Sequence, residues 1–228
     1  MKFINHNSPE KAIINDTFNS VSYIDMWISS IVEGYIYGKE TEIDKYGYKK
    51  EHKMRYNKVS ETKAWYKNGQ IETECYYKNG KRDGEYKRWY KNGQLIFISY
   101  YKEGKLDGEH KAWRYNGNLE ANCYYKDGEL HGEYKEWHDN GEFIFHCYYR
   151  DGELDGEYKK WFSDGKMHIQ KYYKNGNLEG EYKSWFQNGQ IYIHCYFKDG
   201  LNEGEYNEWR EDCTLSIRCF YNSGKPFM

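Results

Sequence analysis

Residues Gly84 to Asp107 read GEYKRWYKNGQLIFISYYKEGKLD, and the same sentence returns 24 residues later as GEHKAWRYNGNLEANCYYKDGELH from Gly108. It starts again at Gly132, Gly156, Gly180 and Gly204, and one period earlier at Ser60. A fixed internal period of this length means one supersecondary unit stacked on copies of itself. Its columns show what the unit is. The second position is Glu throughout, from Glu61 to Glu205, and the sixth is Trp: Trp65, Trp89, Trp113, Trp137, Trp161, Trp185 and Trp209. Asn-Gly or Asp-Gly follows, as at Asn92-Gly93 and Asp164-Gly165. Then come a paired aromatic, as at Tyr124-Tyr125, and a second Gly, as at Gly128.

Asn-Gly between two β-prone runs is a strong hairpin signal, because a two-residue type I′ turn needs φ > 0 at both central residues. Each unit therefore reads as strand, turn, strand, with strands near His110–Tyr115 and Asn118–Lys126 in one copy. The Gly-x-x-x-Gly stretch, as from Gly128 to Gly132, leads into the next unit. Hairpins of this size need neighbours, so the expected fold is all-β: a single elongated antiparallel meander of stacked hairpins, about 14 strands and on the order of 65 Å long. Counting outward from Asn92-Gly93 sets Tyr90 against Leu95 and Trp89 against Ile96. Tyr86, Tyr90, Leu95, Phe97, Ser99 and Tyr101 then share the packed face. Glu85, Lys87, Trp89 and Tyr100 share a half-exposed one. A single bulge would exchange part of this assignment.

The pattern G-E-Y-K-x-W-x-x-N-G-x-L followed by Y-Y-K-x-G-x-L-x-G resembles the MORN-type repeat, in the variant of bacterial toxin–antitoxin antitoxins and giant-virus proteins. The resemblance covers 60–228 well and 38–59 weakly. The spacing of 24 residues exceeds that variant's usual one. The resemblance implies a scaffold, or a protein- or lipid-binding module. The abundance of Lys, Asn, Ile and Tyr fits an AT-rich genome such as a giant virus has.

Around the array, residues 1–37 read as an N-terminal capping segment. Ser8-Pro9 suits a helix start, and Ile14, Phe18, Val21, Ile24, Ile28 and Ile31 recur at helical spacing, which predicts a helix over about 9–32. Strands are the rival reading, since Ser22 to Ile28 is β-branched and aromatic. No signal-peptide pattern and no span of membrane length occur. Residues 38–59 form a decayed copy of 22 residues, with Ile43 in the Trp place and Tyr46-Gly47 in the Asn-Gly place, predicting poorer turn chemistry. Cys213 replaces the last turn glycine, which predicts a looser turn, and Pro226 would blunt the terminal edge.

Five of the six cysteines share a column, Cys75, Cys123, Cys147, Cys195 and Cys219, with Ser99 and Lys171 in the gaps. Adjacent copies of a column lie two strands apart, about 9–10 Å, beyond disulfide reach. Free structural thiols, no disulfides and a reducing, intracellular setting follow as expectations. In His146-Cys147 and His194-Cys195 the two side chains point to opposite faces, so neither pair grips a metal. Each glycine has a turn to serve, leaving no phosphate loop, and the carboxylates sit in repeat columns, so no catalytic set and no cofactor emerge. Net charge is −2 with alternating signs, which argues against nucleic acid and disfavours an anionic membrane. The seven tryptophans form a regular aromatic stripe, of a kind that packs within a sheet or receives a protein partner. The reading is a non-catalytic scaffold that binds protein, with room for a homo-oligomer through a sheet end. The alternatives are an antitoxin-like inhibitor of a toxin and a lipid-headgroup binder.

Overall fold

The computed structural model describes residues 27–32, 35–55 and 58–227. They are strands and turns, with no helix among them. The chain divides into two compact units, residues 1–96 with 101–104 and residues 97–100 with 105–228. In the first, Trp27–Val32, Tyr35–Ile43, Lys49–Arg55, Lys58–Trp65, Ile71–Lys78 and Lys81–Trp89 pair antiparallel, each with the next. In the second, Lys105–Trp113, Leu119–Lys126, Glu129–Trp137 and Phe143–Arg150 begin the same meander. It continues through Glu153–Trp161, Met167–Lys174, Asn177–Trp185 and Ile191–Lys198. Leu201–Asn202 with Gly204–Trp209, then Leu215–Asn222 and Lys225–Phe227, close it. The all-β antiparallel meander of hairpins is thus what the repeat encodes.

The two kinds of turn are exchanged relative to the expectation. After each Trp the loop has three residues. Arg114 N–H donates to Asn118 O at 2.9 Å and Gly117 N–H to Arg114 O at 2.9 Å. Gly117 alone has φ > 0, at 87°. This is a type I turn closed by a left-handed glycine, not a type I′ turn. Asn116 serves through its side chain: its Oδ1 accepts the Asn118 N–H at 3.0 Å. The two-residue type I′ turn lies at the second Gly, where Lys126 faces Glu129 and both Asp127 and Gly128 have φ > 0, at 52° and 95°. Cys213 keeps the three-residue loop closed, its N–H on Arg210 O at 3.0 Å, while taking φ 66° itself. The expected loosening does not occur; the strain is carried by the residue instead.

Two bulges per repeat set the faces. Trp113 faces Leu119, but Ala112 faces Ala121, so Glu120 is an extra residue on the return strand. Trp therefore opposes the Leu-type residue in six copies: Trp65 faces Ile71, Trp113 Leu119, Trp137 Phe143, Trp161 Met167, Trp185 Ile191 and Trp209 Leu215. The assignment of Leu to the packed face opposite Trp is overturned, because one inserted residue reverses which side a side chain takes. The second bulge is larger. Leu130 faces Tyr125 and Tyr134 faces Cys123, so three residues around Gly132 oppose Tyr124 alone. The repeat-start glycine thus sits inside a strand, with φ between 78° and 127° in the copies from Gly84 to Gly204. A Cβ on Gly108 would lie 2.8 Å from Tyr100 Cβ.

The decayed copy explains its own length. Tyr37 to Ile43 pairs with Arg55 to Lys49 without interruption, so the one-residue bulge is missing. Lys53 faces Glu61 and Met54 faces Val59, so the second bulge holds one extra residue in place of two. These two omissions account for the difference between 24 residues and 22. At this smaller bulge the repeat begins with Ser60, whose φ is not positive. The expectation of poorer turn chemistry is not met. Gly47 has φ 83° and donates to Asp44 O at 2.9 Å, and Asp44 Oδ1 accepts from Tyr46 and Tyr48 N–H, both at 2.9 Å. Of the helix expected over 9–32, residues 27–32 are instead a strand paired with Tyr35–Lys39. The remainder, with most of the capping segment, lies outside the described residues. Pro226 stands opposite Tyr221 in the last strand.

Candidate functional site: the tryptophan face

With the bulges in place, the two faces of each unit differ sharply. One carries the cysteine column. Tyr134 lies between Cys123 and Cys147, and Tyr158 between Cys147 and Lys171. Cys147 is fully buried and Cys195 nearly so, under rings such as Tyr134 with Phe145 at 5.3 Å and Tyr158 with Tyr173 at 6.1 Å. Lys171, filling a cysteine place, sets its ammonium 4.7 Å from the Tyr158 ring and 5.1 Å from Tyr173. Where serine fills it, Ser99 Oγ lies 2.7 Å from His110 Nδ1, and His110 stands where other copies have Tyr. Burial lowers the His110 pKa. Ser99 is itself buried, so this pair is packing and out of a substrate's reach. Burial pushes the Cys123 and Cys147 thiols up to about 11 and Cys195 to about 12. All six cysteines are free, and neutral buried thiols are poor nucleophiles.

The other face carries three rows. The first is Trp with its apolar partner. Phe143 sits 5.3 Å from Trp137 and 5.2 Å from Trp161, bridging two copies. Trp65, Trp89, Trp113, Trp137, Trp161, Trp185 and Trp209 are all half-buried. The second row is the charge ladder: Lys111, Lys135, Lys159 and Lys183, facing Asn122, His146, Gln170 and His194. The third is Glu with the first aromatic of each pair, Glu109 against Tyr124 and Glu133 against Tyr148. Along a strand, Trp and Glu rows are four residues apart, about 13 Å.

The charges are paired, as alternating signs on one face predict. Glu133 binds Lys135 at 2.7 Å and His146 at 2.8 Å, and Glu181 repeats this with Lys183 at 2.7 Å and His194 at 2.9 Å. The Lys135 hydrogen bond holds the Glu133 carboxyl below its usual pKa, and Lys183 does the same for Glu181. At Glu157 burial works the other way, but hydrogen bonds from Lys159 and Gln170 outweigh it and the pKa falls. In the first unit Glu61, buried, joins Lys53 and Lys63, and Lys63 reaches Glu74 at 2.8 Å. His146 thus belongs to the tryptophan face and Cys147 to the cysteine face. Among the described residues no group of His, Cys, Asp or Glu is placed to hold a metal ion.

The most exposed rings of this face are not the tryptophans. Tyr76, Tyr124, Tyr148, Tyr172, Tyr196 and Phe220 are 37 to 46% exposed. Their signal in the sequence is the paired aromatic itself, whose two members must point to opposite faces. Tyr76, Tyr124, Tyr148 and Tyr172 each stand opposite the three-residue bulge around the glycine, while Phe220 faces Phe227. A Cβ on Gly84 would lie 3.3 Å from Tyr76 Cβ, and one on Gly156 3.2 Å from Tyr148 Cβ. The glycine is therefore needed twice, for φ and for the approach of the ring.

Both long margins of the hairpins are tied from copy to copy. Arg114 donates to Trp137 O at 2.7 Å, and Asn118 to Asp139 O at 2.7 Å. At the other margin Gly128 N–H donates to Leu106 O at 2.7 Å, and Asp155 Oδ2 accepts from Asn175 N–H at 3.2 Å. These contacts hold the aromatic rows at a constant spacing.

The model of the MORN repeat variant matches residues 58–79, 82–105, 130–151, 154–175 and 178–199. The copy from Gly108, where His110 replaces Tyr, and the terminal copy from Gly204 fall outside those matches. No curated protein matches the chain. Repeats of this kind typically form non-catalytic scaffolds that bind proteins or membranes. The chain belongs to the MORN repeat variant family.

Proposed function

We propose that this protein is a non-catalytic scaffold whose tryptophan face binds an extended polypeptide laid across the strands. The observation that carries the proposal is the row of exposed rings, one per repeat, from Tyr124 to Phe220. Two strand spacings separate successive rings, about 9.5 Å. A polyproline II segment repeats every three residues, about 9.3 Å, and aromatic-lined surfaces receive such segments. A partner of this kind would set one residue against each ring. The tryptophan row forms the far margin of the same surface.

A displayed peptide library selected on the intact protein tests this. A variant carrying Tyr124→Ser, Tyr148→Ser and Tyr172→Ser, and a second with Trp113, Trp137 and Trp161 changed to Ala, are screened in parallel, with circular dichroism to check folding. Enrichment of proline-rich sequences that the folded Tyr variant no longer binds supports the proposal. Absence of enrichment together with binding to phosphoinositide vesicles would replace it with a lipid surface.

A further inference from the structure

From Gly108 to Trp185 the tryptophan face repeats its Glu, Lys and Trp without change, while the cysteine face varies from copy to copy. The copy from Gly156 to Glu179 departs furthest. Its Lys171 is the only charged residue in the cysteine column. Lys160 stands where other copies of the second unit have Ala112, Glu136, Ser184 and Glu208. His168 stands where they have Glu120, Ile144, Tyr192 and Ser216. The register gathers these three. Tyr158 faces Lys171, Lys160 faces Ile169, and His168 directly precedes Ile169 at the one-residue bulge. Lys160 and Lys171 are therefore diagonal neighbours on one face of adjacent strands, about 7–8 Å apart at Cα. The Lys171 ammonium lies over the Tyr158 and Tyr173 rings, and the His168 ring stacks on Phe162 at 4.1 Å. Burial first, and then the Lys160 charge beside it, lower the His168 pKa.

On the tryptophan face Lys135, Lys159 and Lys183 each meet a carboxylate. Among the described residues no carboxylate pairs with Lys160, His168 or Lys171. Glu136, two strands before Lys160 on the same face, instead accepts the Tyr134 hydroxyl at 3.4 Å. The copy from Gly156 carries five lysines against Glu157, Asp164 and Glu179, whereas the other copies that start in the second unit all hold more carboxylates than lysines and arginines.

We propose that this patch receives an acidic, extended segment of a protein partner, with two carboxylates two residues apart. Same-side residues of an extended chain are spaced about 6.6–6.8 Å, which matches the diagonal lysines. One carboxylate meets the Lys171 ammonium; the other meets Lys160, with the His168 ring beside it. Rings partly exclude water from these ammonium groups, so the charge-assisted hydrogen bonds formed there are stronger than on an open surface. Phe145, Tyr158 and Tyr173 continue the face around the lysines, with Phe145 and Tyr158 stacked at 6.2 Å and Tyr158 and Tyr173 edge-on at 6.1 Å. They suit apolar residues at the next alternate positions of the segment. A flat anionic membrane would also meet the acidic copies on either side and be repelled, while a single segment needs this patch alone. The patch lies on the opposite face from the proposed polypeptide-binding row, so either can fail without the other.

Fluorescence polarisation on the intact protein tests this, with a labelled peptide centred on Leu-Ser-Glu-Ser-Glu-Ser-Leu and a matched peptide carrying Gln for both Glu. The acidic peptide should bind, more weakly as salt rises, and the Gln peptide should not. Lys171→Cys restores the residue that the column holds elsewhere, and it should weaken binding at least about tenfold. Lys160→Gln should do the same, and its result stands even if Lys171→Cys fails to fold. The exposed Lys174→Gln removes an equal charge from the same copy outside the patch and should change binding less than about twofold. Proton NMR locates the peptide independently: at saturation the His168 pKa should rise, its resonance being assigned with His168→Gln. Failure of the acidic peptide to bind, with or without binding of phosphatidylserine vesicles, overturns the proposal. So do equal binding of the Gln peptide, equal losses at Lys174 and Lys171, and a His168 pKa that saturating peptide leaves unmoved.

Discussion

The hairpin of Tyr35–Ile43 with Lys49–Arg55 and the hairpin of Lys105–Trp113 with Leu119–Lys126 are two versions of one unit, and they differ by their bulges. In the first, pairing runs unbroken and Ile43 faces Lys49. In the second, an extra residue brings Leu119 against Trp113. The short version builds no Trp–aliphatic row of its own; Lys49 instead lays its ammonium 5.1 Å from the Trp65 ring of the following copy. The long version gains a continuous aromatic ridge and, through its glycine bulge, a raised tyrosine. The comparison teaches that the two additional residues of the period are structural elements. They convert a plain charged ribbon into a face with two aromatic rows.

The largest effect should come from forcing the short version's chemistry on the long one. Gly108→Ser puts a Cβ into Tyr100 at a φ of 127°. We expect a loss of about 2–3 kcal/mol in urea unfolding, from strain and close contact together. The reverse change, Ser60→Gly, should stay within about 1 kcal/mol, since that bulge holds one extra residue and needs no positive φ. Equal effects at the two sites would end the comparison.

Next is the aromatic ridge. Trp137→Ala removes a ring packed at a tilt against Phe143 and should cost about 2 kcal/mol, less than a fully buried Trp because the site is half-open. Ile43→Ala, in the decayed copy, removes an exposed side chain and should cost about 0.5 kcal/mol or less. A smaller change comes from the terminal copy. Cys213→Gly relieves a left-handed residue and should raise stability by about 1 kcal/mol, seen as a higher urea midpoint with unchanged slope.

The smallest effect is electrostatic. Glu133, Glu157 and Glu181 have lowered pKa values, so their stabilisation is fully present above the usual carboxylate pKa of 4.5 and disappears as pH falls through the lower, folded values. Stability should be flat from neutral pH to about 5 and decline below that, modestly, because these pairs are partly solvated. Added salt should flatten the decline.

Much of this was legible before any coordinates. The period, the two turn sites, the antiparallel hairpins and the buried cysteine column follow from residue identity at fixed spacing: glycine where the chain must reverse, and a small thiol where rings converge. Other features were not. Asn-Gly suits a type I′ turn, yet here Asn caps a three-residue loop through its side chain, and the type I′ geometry goes to Asp127-Gly128. Alternation has a period of two, so the bulge at Glu120 moves Leu119 to the tryptophan side without leaving a mark in composition. Likewise the sequence displays seven tryptophans in register, but the pairing of each with an aliphatic or aromatic neighbour half-buries them and leaves Tyr124 and its counterparts as the exposed row. Sequence by itself determined the repeat, the strands and where the chain turns, because those depend on local φ, ψ preferences. Tertiary structure decided which side chains share a face, because a bulge is placed by what the neighbouring strand offers to pair with.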